Sequence, residues 1–274
     1  MRRLWRAAVG LLSPRSPSRM RSSAHIRSER QRESGRPQST NGASSFHLFW
    51  NLPPHDPLVE VSAVLEILTL PAVPDLYFWA LQVDFLAGGH STGAGHAGLQ
   101  WNRDFPKSAA VNWGGYASPE SGGGELEGST FLLPGMAGSQ NTQSYPWQSG
   151  RPYRLRVFPS PHITQAWRAE VTDLSSGKAT PIRDLYTDGD SLAMPMVWTE
   201  SFADCAAPPV TVRWSHLRAV DSTGRILTPH SLLVNYQSWE QGGCTNTSVE
   251  TDARGVLQVT CTPRKLAQGT VLPI

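Results

Sequence analysis

Apolar and polar residues alternate two by two over much of this chain, the period of a strand with one covered face. Between residues 77 and 116 the pattern occurs three times. Tyr77, Trp79, Leu81, Val83 and Phe85 share one parity, Ala97, Leu99 and Trp101 a second, and Ala109, Val111 and Trp113 a third. Residues 59–69 alternate Val59, Val61, Ala63, Leu65 and Ile67 against Glu60, Ser62 and Glu66, and their β-branched content favours a strand over a helix. Further strands are expected at 153–158, 166–171, 210–217, 232–239 and 256–261, separated by turns such as Ser175-Ser176-Gly177-Lys178 and Asp221-Ser222-Thr223-Gly224. No amphipathic helix of ten or more residues follows residue 70. The pattern predicts an all-β, antiparallel β-sandwich or jelly roll.

Composition agrees with that class. Ten Trp, six Tyr and eight Phe supply buried area, and 24 Gly with 22 Pro supply turns. Charge divides the chain more sharply. Residues 1–45 hold ten Arg against Glu29 and Glu33, a balance of +8; residues 46–274 hold fourteen Lys plus Arg against twenty acids, a balance of −6. The sequence thus predicts a disordered, basic tail over 1–45, open to readings as a targeting segment or a polyanion-binding arm, and one sandwich domain over 46–274. A net acidic domain without a basic aromatic motif gives no ground for nucleic-acid binding. No segment reaches the roughly 18 consecutive apolar residues of a membrane span.

Once the Trp-bearing parity is assigned to the core, the other parity presents Gln82 and Asp84, then His96 and Gln100, then Asn112. Planar amides and a polar ring on one sheet face can make paired hydrogen bonds to a sugar, and Tyr116 with Trp147 could add an aromatic platform. The alternative is an ordinary solvated face. Two catalytic patterns are also present. Gly89-His90-Ser91-Thr92-Gly93 matches the G-x-S-x-G nucleophile elbow, but no helix is expected after Ser91, so a flexible turn is the competing reading. Glu125 and Glu127 lie two apart, as acid and base would on one strand face, or as solvated loop acids. No metal or cofactor motif occurs: His90 and His96 lack zinc spacing, and Asp188-Gly189-Asp190 is too short for a calcium loop.

The cysteines are Cys205, Cys244 and Cys261. A hairpin turning between Asp252 and Ala253 would set Cys244 opposite Cys261, so a cross-strand disulfide and two buried thiols are both open. A disulfide would imply an oxidising compartment. Asn246-Thr247-Ser248 is a glycosylation sequon, with meaning only in a secretory protein.

The run His96-Ala97-Gly98-Leu99-Gln100 with Ala110-Val111-Asn112-Trp113-Gly114, followed by Trp147-Gln148-Ser149-Gly150-Arg151-Pro152-Tyr153-Arg154-Leu155, resembles an uncharacterised bacterial domain family associated with concanavalin A-like sandwiches. The resemblance covers roughly residues 58–220. It departs at His96, where an aromatic is usual, and at Asn112 and Gly114. It implies a jelly roll and association with a glycan or polysaccharide, and transfers no catalytic residue; a secreted or cell-envelope location is a separate expectation. The leading expectation is a non-catalytic carbohydrate-binding module. A hydrolase of glycans or esters using Ser91 or Glu125 and Glu127, and a structural or protein-interaction domain, are the alternatives.

Overall fold

The computed structural model describes residues 30–133 and 140–274, and the expected tail over residues 1–29 lies outside them. The alternating runs become sixteen strands: β1 (Ser44–Asn51), β2 (Leu58–Ile67), β3 (Tyr77–Ala87), β4 (His90–Trp101), β5 (Ala109–Ala117), β6 (Thr142–Ser144), β7 (Pro152–Pro159), β8 (Ala166–Asp173), β9 (Lys178–Tyr186), β10 (Ser191–Ser201), β11 (Thr211–Asp221), β12 (Ile226–Leu227), β13 (Ser231–Tyr236), β14 (Ser248–Asp252), β15 (Gly255–Val259) and β16 (Val271–Pro273). All pairings are antiparallel. One sheet runs β6-β5-β4-β3-β10-β1-β13-β16, the other β14-β15-β11-β2-β7-β8-β9 with β12 beside β11. The two meet at a single β10–β2 pair, Leu192 with Leu58. The antiparallel sandwich expected from alternation is the fold.

The Trp-bearing parity faces inward. Trp79, Trp113, Leu81, Val83, Phe85, Leu99 and Val111 from the first sheet pack against Leu65, Leu155, Trp167, Ile182 and Trp214 from the second. Full burial of each large aliphatic or aromatic side chain contributes about 2 kcal/mol. The indoles also tie the sheets through polar contacts. Trp113 Nε1 donates to the Trp167 carbonyl at 3.1 Å, and Trp167 Nε1 donates to the Gly189 carbonyl at 3.1 Å.

Gln258 of β15, buried in the core, is a second tie. Its Oε1 accepts from Trp214 Nε1 and Thr199 Oγ1, both at 2.8 Å, and its Nε2 donates to the Phe46 carbonyl at 2.8 Å. The Gln258→Leu variant leaves two donors and one acceptor without partners and is expected to unfold with about 3 kcal/mol less stability in urea titration.

Three expectations are corrected. Residues 30–45 belong to the folded domain: Arg32, Gly35, Arg36 and Gln38 are hydrogen-bonded to residues far along the chain. Their order comes from backbone and polar contacts rather than buried apolar area, which is why a composition rule assigned them to the tail. The disulfide joins Cys205 to Cys244, with Cα atoms 5.5 Å apart, and Cys261 is a free thiol. The β14/β15 ladder pairs Asp252 with Gly255 and Ser248 with Val259, so the turn centres between Ala253 and Arg254, one residue later than expected. That shift sets Cys261 opposite Asn246, where Thr262 N donates to the Asn246 carbonyl, rather than opposite Cys244. The sequon asparagine Asn246 is buried, and its Nδ2 donates to the Cys205 carbonyl at 2.8 Å.

Candidate functional site

The face of the first sheet turned away from the core carries the polar parity. Register places its side chains in rows across the strands. One row runs Ala110 (β5), Gln100 (β4), Phe78 (β3), Glu200 (β10) and Ser45 (β1); the next Asn112, Gly98, Ala80, Trp198 and His47; the next Gly114, His96, Gln82, Met196 and Phe49. The floor of the middle row is kept low by Gly98 and Ala80. A Cβ at Gly98 would collide with the Trp79 carbonyl and the Phe78 ring, so only glycine fits there.

Sequence parity thus brings Gln82, His96, Gln100, Asn112 and Tyr116 to one face. Trp147 is not among them. It is buried in the core, edge-on to Trp79, with Nε1 donating to the Gln100 backbone carbonyl at 3.0 Å, and it offers no platform to a ligand. A loop position suggested exposure; the size of the indole won it a core place. Ser91 sits exposed at the start of β4, on a strand that continues to Trp101, so the elbow's helix is absent. Glu125 and Glu127 lie exposed beyond β5; Glu125 bridges to Tyr116 and accepts from Asn141 Nδ2, while Glu127 gives its backbone carbonyl to Tyr186 N.

The face holds an aromatic cluster. Phe78 stands edge-on to Trp198 with ring centroids 4.9 Å apart, and His96 packs on Phe78, Trp198 and Tyr116. Burial pushes the His96 imidazole down to about 4, so it is neutral at physiological pH. Trp198 Nε1 donates to Gln82 Oε1 at 3.0 Å, and Asn112 Nδ2 donates to Thr142 Oγ1 at 2.9 Å.

Glu200 is the group that sequence reading missed. It is 6% exposed, one row place from Phe78 and two from Gln100. Asn41 Nδ2 donates to its Oε1 at 2.8 Å, while its Oε2 is buried with no hydrogen-bond partner. Burial pushes the carboxyl up to about 7, with the Asn41 hydrogen bond opposing the shift. The Tyr116 phenol is raised by burial and by the Glu125 and Glu200 charges. Gln100 is 2% exposed; its Oε1 accepts from Asn102 Nδ2 at 3.2 Å, which leaves its NH2 to donate. Two strand spacings separate the Glu200 and Gln100 backbones by about 10 Å.

The missed signal was weak. β10 is flanked by β1 and β3 and buried on both faces, so Met196, Trp198 and Glu200 on one side and Val197 and Thr199 on the other show no apolar–polar alternation. A bulge between Ala193 and Met196, with Met194 at φ 47°, breaks the parity as well. The one readable hint is that Glu200 is the single charged residue of β10.

Among the described residues no cluster of three or more His, Cys, Asp or Glu could hold a metal ion, and no helix is long and apolar enough to cross a membrane.

No protein-family model matches the chain, and no curated protein matches it in sequence. Solved structures similar in fold include Scytalido-glutamic peptidase with a peptide-based transition state analog, at 9% identity and TM-score 0.43, covering 79% of this chain and 98% of that one. SCP-B, a member of the Eqolisin family of peptidases in complex with a tripeptide, matches at 9% identity and TM-score 0.41 with the same coverage. The alginate lyase Aly36B matches at 12% identity and TM-score 0.28, covering 86% of this chain and 88% of that one. At these identities and TM-scores the likeness carries nothing about what this chain does.

Proposed function

We propose that the chain is a hydrolase of acyl bonds, peptide or ester, in an extended substrate laid along the β4/β3/β10 face. The observation that carries it is Glu200, a buried carboxyl with one oxygen held by Asn41 and the other unpartnered, across Phe78 from Gln100, whose own Oε1 is taken by Asn102. In this reading Glu200 takes a proton from the attacking water and returns it to the leaving group. The Gln100 NH2 donates to the oxygen that gains charge as the carbonyl carbon becomes tetrahedral.

One carboxyl with one amide donor suits acyl transfer better than sugar hydrolysis. Glycosidases place two carboxyls about 5–10 Å apart. Asp84, the acid on the same parity of β3, lies six residues from Phe78, about 20 Å by strand rise. The Cys205–Cys244 disulfide supports an oxidising compartment, secreted or in the cell envelope.

A second reading rests on the convergence of Gln82, His96, Gln100, Asn112 and Tyr116 on one face: non-catalytic glycan binding, as the concanavalin A-like resemblance implies.

The test is cleavage of denatured polypeptides and aryl esters between pH 4 and 8, with products read by mass spectrometry, beside a glycan array. The Gln100→Ala variant is expected to lower kcat about 100-fold with KM little changed. Binding to a polysaccharide without cleavage of any peptide or ester would overturn the hydrolase reading in favour of the second.

A further inference from the structure

Residues 32–43 run as a strap over the end of the first sheet. It is fastened to the two loops that the disulfide joins. Thr245 N donates to the Arg32 carbonyl and Arg32 N to Thr245 Oγ1, both at 2.9 Å, one residue from Cys244. Cys205 N donates to the Gly35 carbonyl at 2.9 Å, and Gly35 N donates to Asp204 Oδ1 at 2.9 Å. The strap then closes a tight polar turn. Ser39 Oγ and Ala43 N both donate to Asn41 Oδ1, at 2.8 and 3.1 Å. With its oxygen occupied by its own turn, the Asn41 amide has only its NH2 to offer outward. That NH2 meets Glu200 Oε1.

We infer that Asn41 is a positioning residue for Glu200: the disulfide-fastened strap presents one amide donor to one carboxyl oxygen and so fixes which oxygen, Oε2, is left to carry the proton. This rests on the hydrolase reading for its purpose, though not for its test.

Donation to the ionised carboxyl favours the charged form, which opposes the desolvation that raises it. Asn41 thereby sets how much of Glu200 is ionised near neutral pH. The other groups that bear on Glu200 are the Tyr116 phenol of β5 with Glu125 beyond it, and the neutral imidazoles of His96 on β4 and His47 on β1, both packed on Trp198. Both imidazoles are held down to about 4 by burial and carry no charge over the pH range in which Glu200 titrates.

The experiment follows the Glu200 carboxyl carbon by 13C NMR from pH 4 to 9, assigned by its loss in Glu200→Gln. In Asn41→Ala the midpoint is expected to rise by about 1 pH unit. In Asn41→Asp, which keeps the acceptor oxygen of the turn but sets a second carboxylate against the first, it is expected to rise further. Where cleavage is measurable, the pH profile of kcat/KM moves by the same amount in each variant. An unchanged midpoint in both folded variants overturns the inference. A shifted midpoint in a protein that cleaves nothing leaves Asn41 in its role and removes the hydrolase reading instead.

Discussion

Replacing Glu200 by glutamine is expected to cut turnover about 1,000-fold while making the folded protein more stable above neutral pH. The catalytic loss follows from the role: a positioned general acid–base group contributes roughly 100- to 10,000-fold, and glutamine keeps the shape and the Asn41 contact through its oxygen while carrying no titratable proton. The gain in stability follows from burial. Burial pushes the folded carboxyl up to about 7 from its ordinary value of 4.5. A group raised on folding contributes its full stability below the unfolded value and loses it as pH climbs through the folded one. Over that window the wild type therefore loses roughly 3 kcal/mol that the variant keeps. Urea unfolding at pH 4 and pH 8 reads this directly: the two proteins should unfold alike at pH 4 and diverge at pH 8, the variant being the more stable. Equal pH dependence in both would show that the carboxyl is not held protonated by its surroundings. His96 acts with the opposite sign. Its imidazole is lowered on folding, so its contribution is present above pH 6.5 and is lost as pH falls toward 4 in both proteins.

A loss of activity with a gain in stability marks a group kept for its chemistry at the expense of the fold. A purely structural Glu200 would show no loss of activity in the glutamine variant, which keeps the acceptor of the Asn41 amide.

Much of the framework could be read from alternation because the sheets are antiparallel and several strands show one polar face. β3, β4 and β5 declare their parity through Trp79, Leu99 and Trp113, and the same parity correctly gathered Gln82, His96, Gln100 and Asn112. What alternation could not show lies where both faces are covered or where order is polar. Glu200 sits on a strand buried on both sides, and a bulge resets its parity before it. Asn41 arrives on a strap held by hydrogen bonds to residues about 170 to 210 positions away, which no local pattern encodes. The misplaced disulfide has the same origin: one residue of turn register moved the partner of Cys244 from the neighbouring strand to a loop 39 residues earlier.

The disulfide gives the second large effect. Removing it through the paired Cys205→Ala, Cys244→Ala substitutions is expected to lower unfolding stability by about 4 kcal/mol, the chain-entropy value for a closed loop of 39 residues. The same bond fastens the strap, so the variant should also expose the Arg32–Ala43 backbone to rapid amide exchange, a local change that loop entropy in the unfolded chain does not produce. Single substitutions separate this pairing from the cross-strand one. Cys261→Ala removes a free thiol and should leave stability within about 0.5 kcal/mol of wild type. Cys205→Ala should cost nearly as much as the double variant. Treating the wild type with a thiol reductant should bring it down to the double variant's level and leave the double variant unchanged. A costly Cys261→Ala beside a neutral Cys205→Ala would instead place the bond between Cys244 and Cys261. The strap would then lose its anchor beside Gly35, and with it the reason for Asn41 to meet Glu200.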